Sequence, residues 1–204
     1  MSEFSDEQLF ERYRRGDMGS FRALLERHHD DLIRFLHRLM GDRQSAEDVF
    51  QDAFLQVHLS ADTFDTTRRF RPWLFTIAAN KGRDYLRKKG RRQEVDLMAP
   101  VGGAGGDQSG EGSAMFVDLM EVEVPAPEDG AMTDERDRAV QQALDGLPHP
   151  LREILLLAYF QRLSYAQVAD ELNIPLGTVK SRLHAAVAAF ADRWKRLNRG
   201  DEGP

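Results

Sequence analysis

The chain contains no cysteine. That single absence excludes disulfides, thiolate zinc sites and thiol nucleophiles. No apolar run approaches the roughly 18 residues that a membrane span requires. The first residues, with Glu3, Asp6 and Glu7, lack the basic-then-apolar order of a signal peptide. Histidine is sparse, at positions 28, 29, 37, 58, 149 and 184, without zinc-like pairing. A Gly-rich phosphate loop and an activated Ser/His arrangement are both missing. Carboxylates do gather at Glu47, Asp48 and Asp52, and at Asp30 and Asp31 beside His28 and His29. No second acidic helix with matching spacing accompanies either group. The expectation is a cytoplasmic protein with no cofactor, no metal, no catalysis and no membrane insertion.

The net charge of −6 over 204 residues conceals an uneven distribution. Residues 94–137 hold twelve Asp/Glu and one Arg. Residues 1–93 hold eighteen Lys/Arg against fifteen Asp/Glu, and residues 138–204 nine against seven. Two mildly basic parts therefore flank an acidic one, and net charge per segment is the quantity that bears on partners. The acidic part also changes composition, with six glycines from Gly102 to Gly112 and then Pro125 and Pro127. It buries too little apolar surface to offset its ordering entropy and reads as a flexible linker over 94–134. Met115 to Val124 is an oddly apolar piece within it.

Both flanking parts read as helices throughout, which predicts an all-α fold of two small domains, 1–93 and 135–204. In the first, helices are expected at about Ser5–Arg15, Met18–Met40, Ser45–His58 and Arg71–Lys89. Phe21, Leu24, Leu25, Leu32, Phe35, Leu36 and Leu39 form the apolar stripe of the second helix. The third has Ser45 as its expected cap, with Asp48 three residues on. Its residues Asp48, Gln51, Asp52 and Leu55 share a face through three- and four-residue steps. An acidic face edged by leucine suits docking on a basic partner helix, and a merely solvated face fits the segment equally well.

The fourth helix places Trp73, Leu74, Ile77, Ala78 and Tyr85 at core spacing. Asn80, Arg83, Asp84, Arg87 and Lys88 fall on the other side. From Lys81 to Arg92 there are seven Lys/Arg and one Asp. Such a cluster beside an amide side chain suits phosphate contacts with limited base reading. A solvated basic helix end is the competing reading. Before this helix, Asp62 to Arg69 forms a polar loop containing Phe64, of a kind that can hold an unstacked base.

In the second domain a helix is expected over Pro150–Phe160. Leu163 to Leu183 then has the pattern of two short helices joined by a tight turn. Ser164 and Gln167 have capping-box spacing, and Ala166, Ala169 and Leu172 mark one apolar side. Asn173 and Ile174 make the turn, and Pro175 suits the start of the next helix. Val179, Leu183, Val187, Phe190, Trp194 and Leu197 continue as a buried stripe, leaving Thr178, Ser181, Arg182 and Ala185 outward. This is the pattern of a helix-turn-helix with its second helix in the DNA major groove. An ordinary helical hairpin is the bland alternative.

Three segments in this order resemble the extracytoplasmic-function sigma factors, the small sigma-70 relatives with only the σ2 and σ4 domains. They are Ala46–Asp52, Arg71–Ala78 with Asn80, Asp84 and Arg87, and Ile174–His184. The resemblance implies that Asp48, Gln51, Asp52 and Leu55 bind the clamp helices of the RNA polymerase β′ subunit. It implies that the Asp62–Arg69 loop, with Phe64, Arg68 and Arg69, captures a flipped base of the −10 promoter element. Asn80, Arg83, Asp84 and Arg87 would contact the upstream part of that element, with Lys81 and Lys88 among the −10 contacts. Thr178, Lys180, Ser181, Arg182 and His184 would meet the −35 element. The implied partners are core polymerase (β′ and β subunits), promoter DNA and an anti-sigma factor. The acidic linker would thread through polymerase toward the RNA exit channel, its charge mimicking nucleic acid.

The chain departs from the family pattern at Ala79, where many relatives place arginine, and at Ala185–Ala189, which replaces a basic stretch. Each missing cation removes a possible phosphate contact and about one unit of salt slope. The isolated C-terminal domain is therefore expected to grip −35 DNA weakly. An autonomous DNA-binding regulator would account for the helix-turn-helix alone. A helical adaptor that binds only protein would leave both basic faces without a role.

Overall fold

The computed structural model describes residues 4–90, 134–161 and 163–199. The chain divides into two compact units, Met1–Arg92 and Gln93–Pro204. The apolar segment 115–124 and nearly all of the expected linker lie outside the described residues. Among the described residues the regular elements are eight α-helices and one short 3-10 turn, an all-α fold as the periodicity predicts.

The N-terminal unit comprises α1 (Asp6–Arg14), α2 (Met18–Met40), α3 (Arg43–Leu59), the 3-10 turn Ala61–Thr63 and α4 (Phe70–Gly90). Ser5 starts α1 with a complete capping box: its hydroxyl accepts from the Gln8 N–H, and the Gln8 amide oxygen accepts from the Ser5 N–H. Asp17 caps α2, and Gly41 closes it in the left-handed conformation at φ 84°. The next residue, Asp42, starts α3. Its carboxylate accepts from the Ser45 N–H at 2.7 Å and from the Ser45 hydroxyl at 2.8 Å. The cap is thus Asp42 and not Ser45, which lies buried one turn inside the helix. The Ser45 N–H, chiefly, holds the Asp42 carboxyl below its ordinary range.

Burial follows the expected stripe on α2, whereas on α4 the expected Trp73, Ile77 and Tyr85 are only half-buried and Phe75 and Ala79 take the innermost places. Leu24, Leu32, Phe35, Leu36 and Leu39 of α2 are wholly buried, as are Val49, Ala53 and Val57 of α3 and Leu74, Phe75, Ala78 and Ala79 of α4. Each large side chain among them contributes roughly 1.5–3 kcal/mol of gross burial free energy. Gly82 lets α4 approach α2, since a Cβ there would stand 3.1 Å from a Leu39 methyl and 3.3 Å from the Met40 sulfur. Glu7 of α1 accepts the Phe70 N–H at 3.1 Å and so fixes where α4 begins.

The C-terminal unit comprises α5 (Asp134–Asp145), α6 (His149–Gln161), α7 (Tyr165–Leu172) and α8 (Leu176–Arg199). Helix α6 is buried on most of its circumference, from Leu151 through Ile154 to Ala158, and packs against α7 and α8. The capping box at Ser164 and Gln167 forms as expected. Asn173 takes the left-handed conformation at φ 51°, and the Ile174 N–H returns to the Ala169 carbonyl at 3.1 Å. Two expected core positions differ. Ala166 is exposed, and Tyr165, Val168 and Ala169 form the buried side of α7. Leu197 is exposed too, because the buried row of α8 ends near Phe190 and a half-buried Trp194.

Candidate nucleic-acid interface

Three outward faces carry the residues singled out from the sequence, two on the N-terminal unit and one on the C-terminal unit. On α3 the steps 48, 51, 52 and 55 point away from the buried row at Val49, Ala53 and Val57, so all four side chains are exposed. Leu55 is 56% exposed. Leu59, one turn further and 69% exposed, extends the same face. Sequence reading missed Leu59, although its spacing of four from Leu55 was the available signal.

On α4, Asn80, Arg83, Asp84, Arg87 and Lys88 are exposed together along the outer side. Arg87 pairs with Asp84 at 3.1 Å, which orients both side chains along the helix surface. Lys81 departs from this group. It is half-buried and its ammonium donates to the Gln56 amide oxygen at 2.8 Å, toward α3. One residue of helix rotates the direction by about 100°, enough to move it off the outer face.

The loop before α4 is ordered by its own side chains. The Thr67 N–H and hydroxyl both donate to the Asp65 carboxylate, at 2.9 and 2.7 Å. Arg68 and Arg69 are exposed beside it. Phe64 is not a base platform. It is 5% exposed, with its ring 4.4 Å from Trp73, 5.2 Å from Phe10 and 6.2 Å from Phe70, centroid to centroid. The ring anchors the loop to α1 and α4, and the polar rim at Asp62, Thr63, Asp65, Thr66 and Thr67 is what faces solvent.

Ala79 also requires correction. It is wholly buried against the bundle, so an arginine's missing charge there is not a vacant phosphate contact. The carboxylates near His28 and His29 belong to the scaffold. The His28 Nε2 and Asp6 carboxylate are 2.8 Å apart, and Asp31 pairs with Arg71 at 2.9 Å. Burial pushes the Asp31 carboxyl up, but bonds from Arg71 and Arg34 outweigh it and hold the group below its ordinary range. Among the described residues no group of three or more His, Asp or Glu side chains is arranged to hold a metal ion.

The third face lies on α8. Lys180, Ser181, Arg182 and His184 are exposed and Thr178 is half-buried, while Val179 and Leu183 turn wholly inward. The Ser181 hydroxyl donates to the Thr178 carbonyl at 3.1 Å, so its oxygen is left to act as an acceptor. Ala185 and Ala188 are exposed, and Ala186 is buried. Over its first half the outer face of this helix is therefore polar and small, with Lys180 and Arg182 its cations there; Arg193, Lys195 and Arg196 are exposed about three turns further on.

A family model described as Sigma-70 region 2 matches residues 24–92, and one described as Sigma-70, region 4 matches residues 137–190. The chain is 32% identical to the ECF RNA polymerase sigma factor SigW of Bacillus subtilis, over 90% of this chain and 94% of that protein. It is 30% identical to the ECF RNA polymerase sigma-E factor of Escherichia coli K12, over 98% of this chain and all of that one. The fold is shared with CnrH, solved in complex with the cytosolic domain of CnrY, at a TM-score of 0.61 and 23% identity, covering 92% of this chain and 95% of that one. It is likewise shared with the sigma factor RpoE of Bartonella quintana, solved with the anti-sigma factor NepR, at 0.60 and 24%, covering 89% and 98%.

Proposed function

The chain belongs to the extracytoplasmic-function sigma factors of the sigma-70 family, and from that premise we propose which of its residues meet polymerase and which meet promoter DNA. As a sigma factor it directs promoter-specific initiation by RNA polymerase and is not itself an enzyme. The family sets aside the autonomous regulator and the protein-only adaptor.

Asp48, Gln51, Asp52 and Leu55, joined by Leu59, dock α3 on the β′ clamp helices of core polymerase. The observation that carries this assignment is one helix side with acidic and leucine side chains exposed together, back to back with a wholly buried row. Charge steers the encounter and the leucines supply the desolvated contact. Asn80, Arg83, Asp84, Arg87 and Lys88 lie along the −10 element, with Arg68 and Arg69 flanking the loop that receives a flipped base. Its rim of hydroxyls and carboxylates does the receiving, and Phe64 holds the rim in place. Lys180, Ser181, Arg182 and His184, with Thr178 at their edge, face the −35 element.

The domains are residues 1–93 for core binding and −10 recognition, 94–134 for the connection, and 135–204 for the −35 element. The protein acts in the cytoplasm and is held in check by an anti-sigma factor, as relatives solved with such partners suggest by analogy. None of its described helices is long and apolar enough to cross a membrane.

The deciding experiment mixes the purified chain with sigma-free core polymerase and measures promoter-dependent initiation. The double variant Asp48→Arg with Asp52→Arg is expected to abolish core binding and initiation with an unchanged circular dichroism spectrum. Retained core binding by that folded variant would remove α3 from the assignment.

A further inference from the structure

The first turn of α8 holds two residues that the domain's own packing does not explain. Leu176 lies three and seven residues before the wholly buried Val179 and Leu183, so it continues their row by register. Yet Leu176 is 42% exposed where Val179 and Leu183 are wholly covered, so a large part of its apolar surface is left to solvent. Nor does the helix start call for it. The Pro175 carbonyl already accepts from the Thr178 and Val179 N–H groups at 2.9 and 3.1 Å, and acidic or hydroxyl side chains serve a first turn better than leucine.

Gly177 is the second. Gly82 and Gly146 have evident reasons in the fold, since a Cβ at Gly82 would press on Leu39 and Met40, and one at Gly146 would collide with the Arg193 guanidinium. A Cβ at Gly177 would meet nothing within 4 Å. Its backbone is helical, so alanine would fit and would favour the helix. A residue that the fold would improve by replacing is serving a surface outside the fold, and glycine's service there is to let something approach the backbone.

Both residues sit where a helix-turn-helix meets base edges, because the recognition helix enters the major groove by its N-terminal turn. The one apolar feature on the floor of that groove is the 5-methyl group of thymine. We propose that Leu176 packs on a thymine methyl within the −35 element, and that Gly177 beside it clears the space in which the helix settles against the groove. This deepens the assignment of α8 to −35 DNA and rests on it. Leu176 is a specificity-determining residue by this reading, and its contact is apolar where those of Lys180 and Arg182 are ionic.

The test uses the full chain in holoenzyme with bacterial core polymerase, on an upstream element selected by that holoenzyme from a randomised duplex library. Each thymine on both strands is replaced in turn by deoxyuridine, which deletes only the methyl group. Wild-type holoenzyme is expected to lose affinity about fourfold at one position, the weight of one buried methyl group. Leu176→Ala is expected to lose a similar factor on the thymine duplex and to be indifferent to deoxyuridine at that position. Gly177→Ala is expected to raise the thermal midpoint of the free protein and to weaken holoenzyme binding roughly tenfold. Indifference of the wild type to every thymine methyl, or full methyl sensitivity in Leu176→Ala, overturns the contact. Unchanged binding by Gly177→Ala overturns the clearance. Binding that ignores the upstream sequence altogether would instead sink the −35 assignment itself, and this inference with it.

Discussion

Replacing Phe64 by alanine separates a ring that holds the protein together from one that holds DNA. The side chain is 5% exposed and meets the rings of Trp73, Phe10 and Phe70. Truncating a core phenylalanine costs about 3–5 kcal/mol through lost transfer free energy and the cavity left behind. The adjoining chain from Asp65 to Arg69 is exposed and can settle partly into the space, which favours the lower end, about 3 kcal/mol. For a unit of this size each kcal/mol moves the thermal midpoint by roughly 4–8 °C, so the expected fall is roughly 12–24 °C. Leucine, closer in volume, should cost less than about 1.5 kcal/mol.

The two tryptophans make the assay specific, because Trp73 lies in the N-terminal unit and Trp194 in the other. In a Trp194→Phe background, fluorescence during urea unfolding reports the surroundings of Phe64 alone. Phe64→Ala should lower the urea midpoint strongly. Phe64→Leu should nearly restore it and restore binding to single-stranded −10 DNA along with it. If Phe64→Ala leaves the midpoint unmoved, while the stable Phe64→Leu protein loses single-stranded binding, the ring reads DNA and the packing argument is wrong.

Acid should loosen the N-terminal unit in a defined window. Asp6 and Asp31 both titrate below the ordinary 3.8 in the folded state, so their stabilisation is complete above that value and drains away as pH falls through and below it. The urea midpoint in the Trp194→Phe background should be flat from pH 7 to 5 and fall below about 4; Asp31→Asn should make that acid limb shallower, Asp6 still contributing, and cost no more than about 1 kcal/mol at neutrality. Ala79→Arg should add no DNA affinity and cost about 1–3 kcal/mol of stability in the same assay, because the position is wholly buried. Ala188→Arg, on an exposed position of α8, should leave stability unchanged and steepen the salt dependence of DNA binding by about one unit.

Where one local rule dominates, the sequence and the structure agree. The capping box at Ser164, the turn at Asn173 and the inward row from Val179 to Phe190 each depend on neighbours within one turn. Disagreements arise where two local rules compete or where the deciding partner is distant. Asp42 and Ser45 are both good caps at overlapping positions, and the tight turn at Gly41 hands the role to the first of them. Phe64 stands alone in a polar loop with no period to expose its direction, and it is buried by Phe10, 54 residues earlier in the chain. Ala79 was legible: 75, 78, 79 and 82 form an inward helical row, and a side chain on that row faces the core rather than solvent. Lys81 is the converse case, since only the partner at Gln56 on α3 reveals its direction.

On the proposed assignment, the same placement of charge argues for a division of labour between α4 and α8. Helix α4 exposes Arg83, Arg87, Lys88 and Lys89 within two turns, and each phosphate neutralised adds about 0.9 to the salt slope. The entry half of α8 exposes Lys180 and Arg182 and then alanines at 185 and 188, with Arg193, Lys195 and Arg196 about three turns beyond, so the electrostatic share of that entry half is about half as large. Ion-driven affinity falls steeply with salt and carries no sequence information. Apolar and hydrogen-bonded contacts to base edges do the reverse. An α8 whose entry half is poor in cations but fitted with Leu176, Gly177 and Ser181 is therefore suited to choosing a −35 sequence rather than to holding it. On that assignment the holding falls to α4 and to polymerase gripped through α3. A sigma factor so built would leave non-promoter DNA readily when free, and would discriminate at −35 only once core enzyme has presented the duplex.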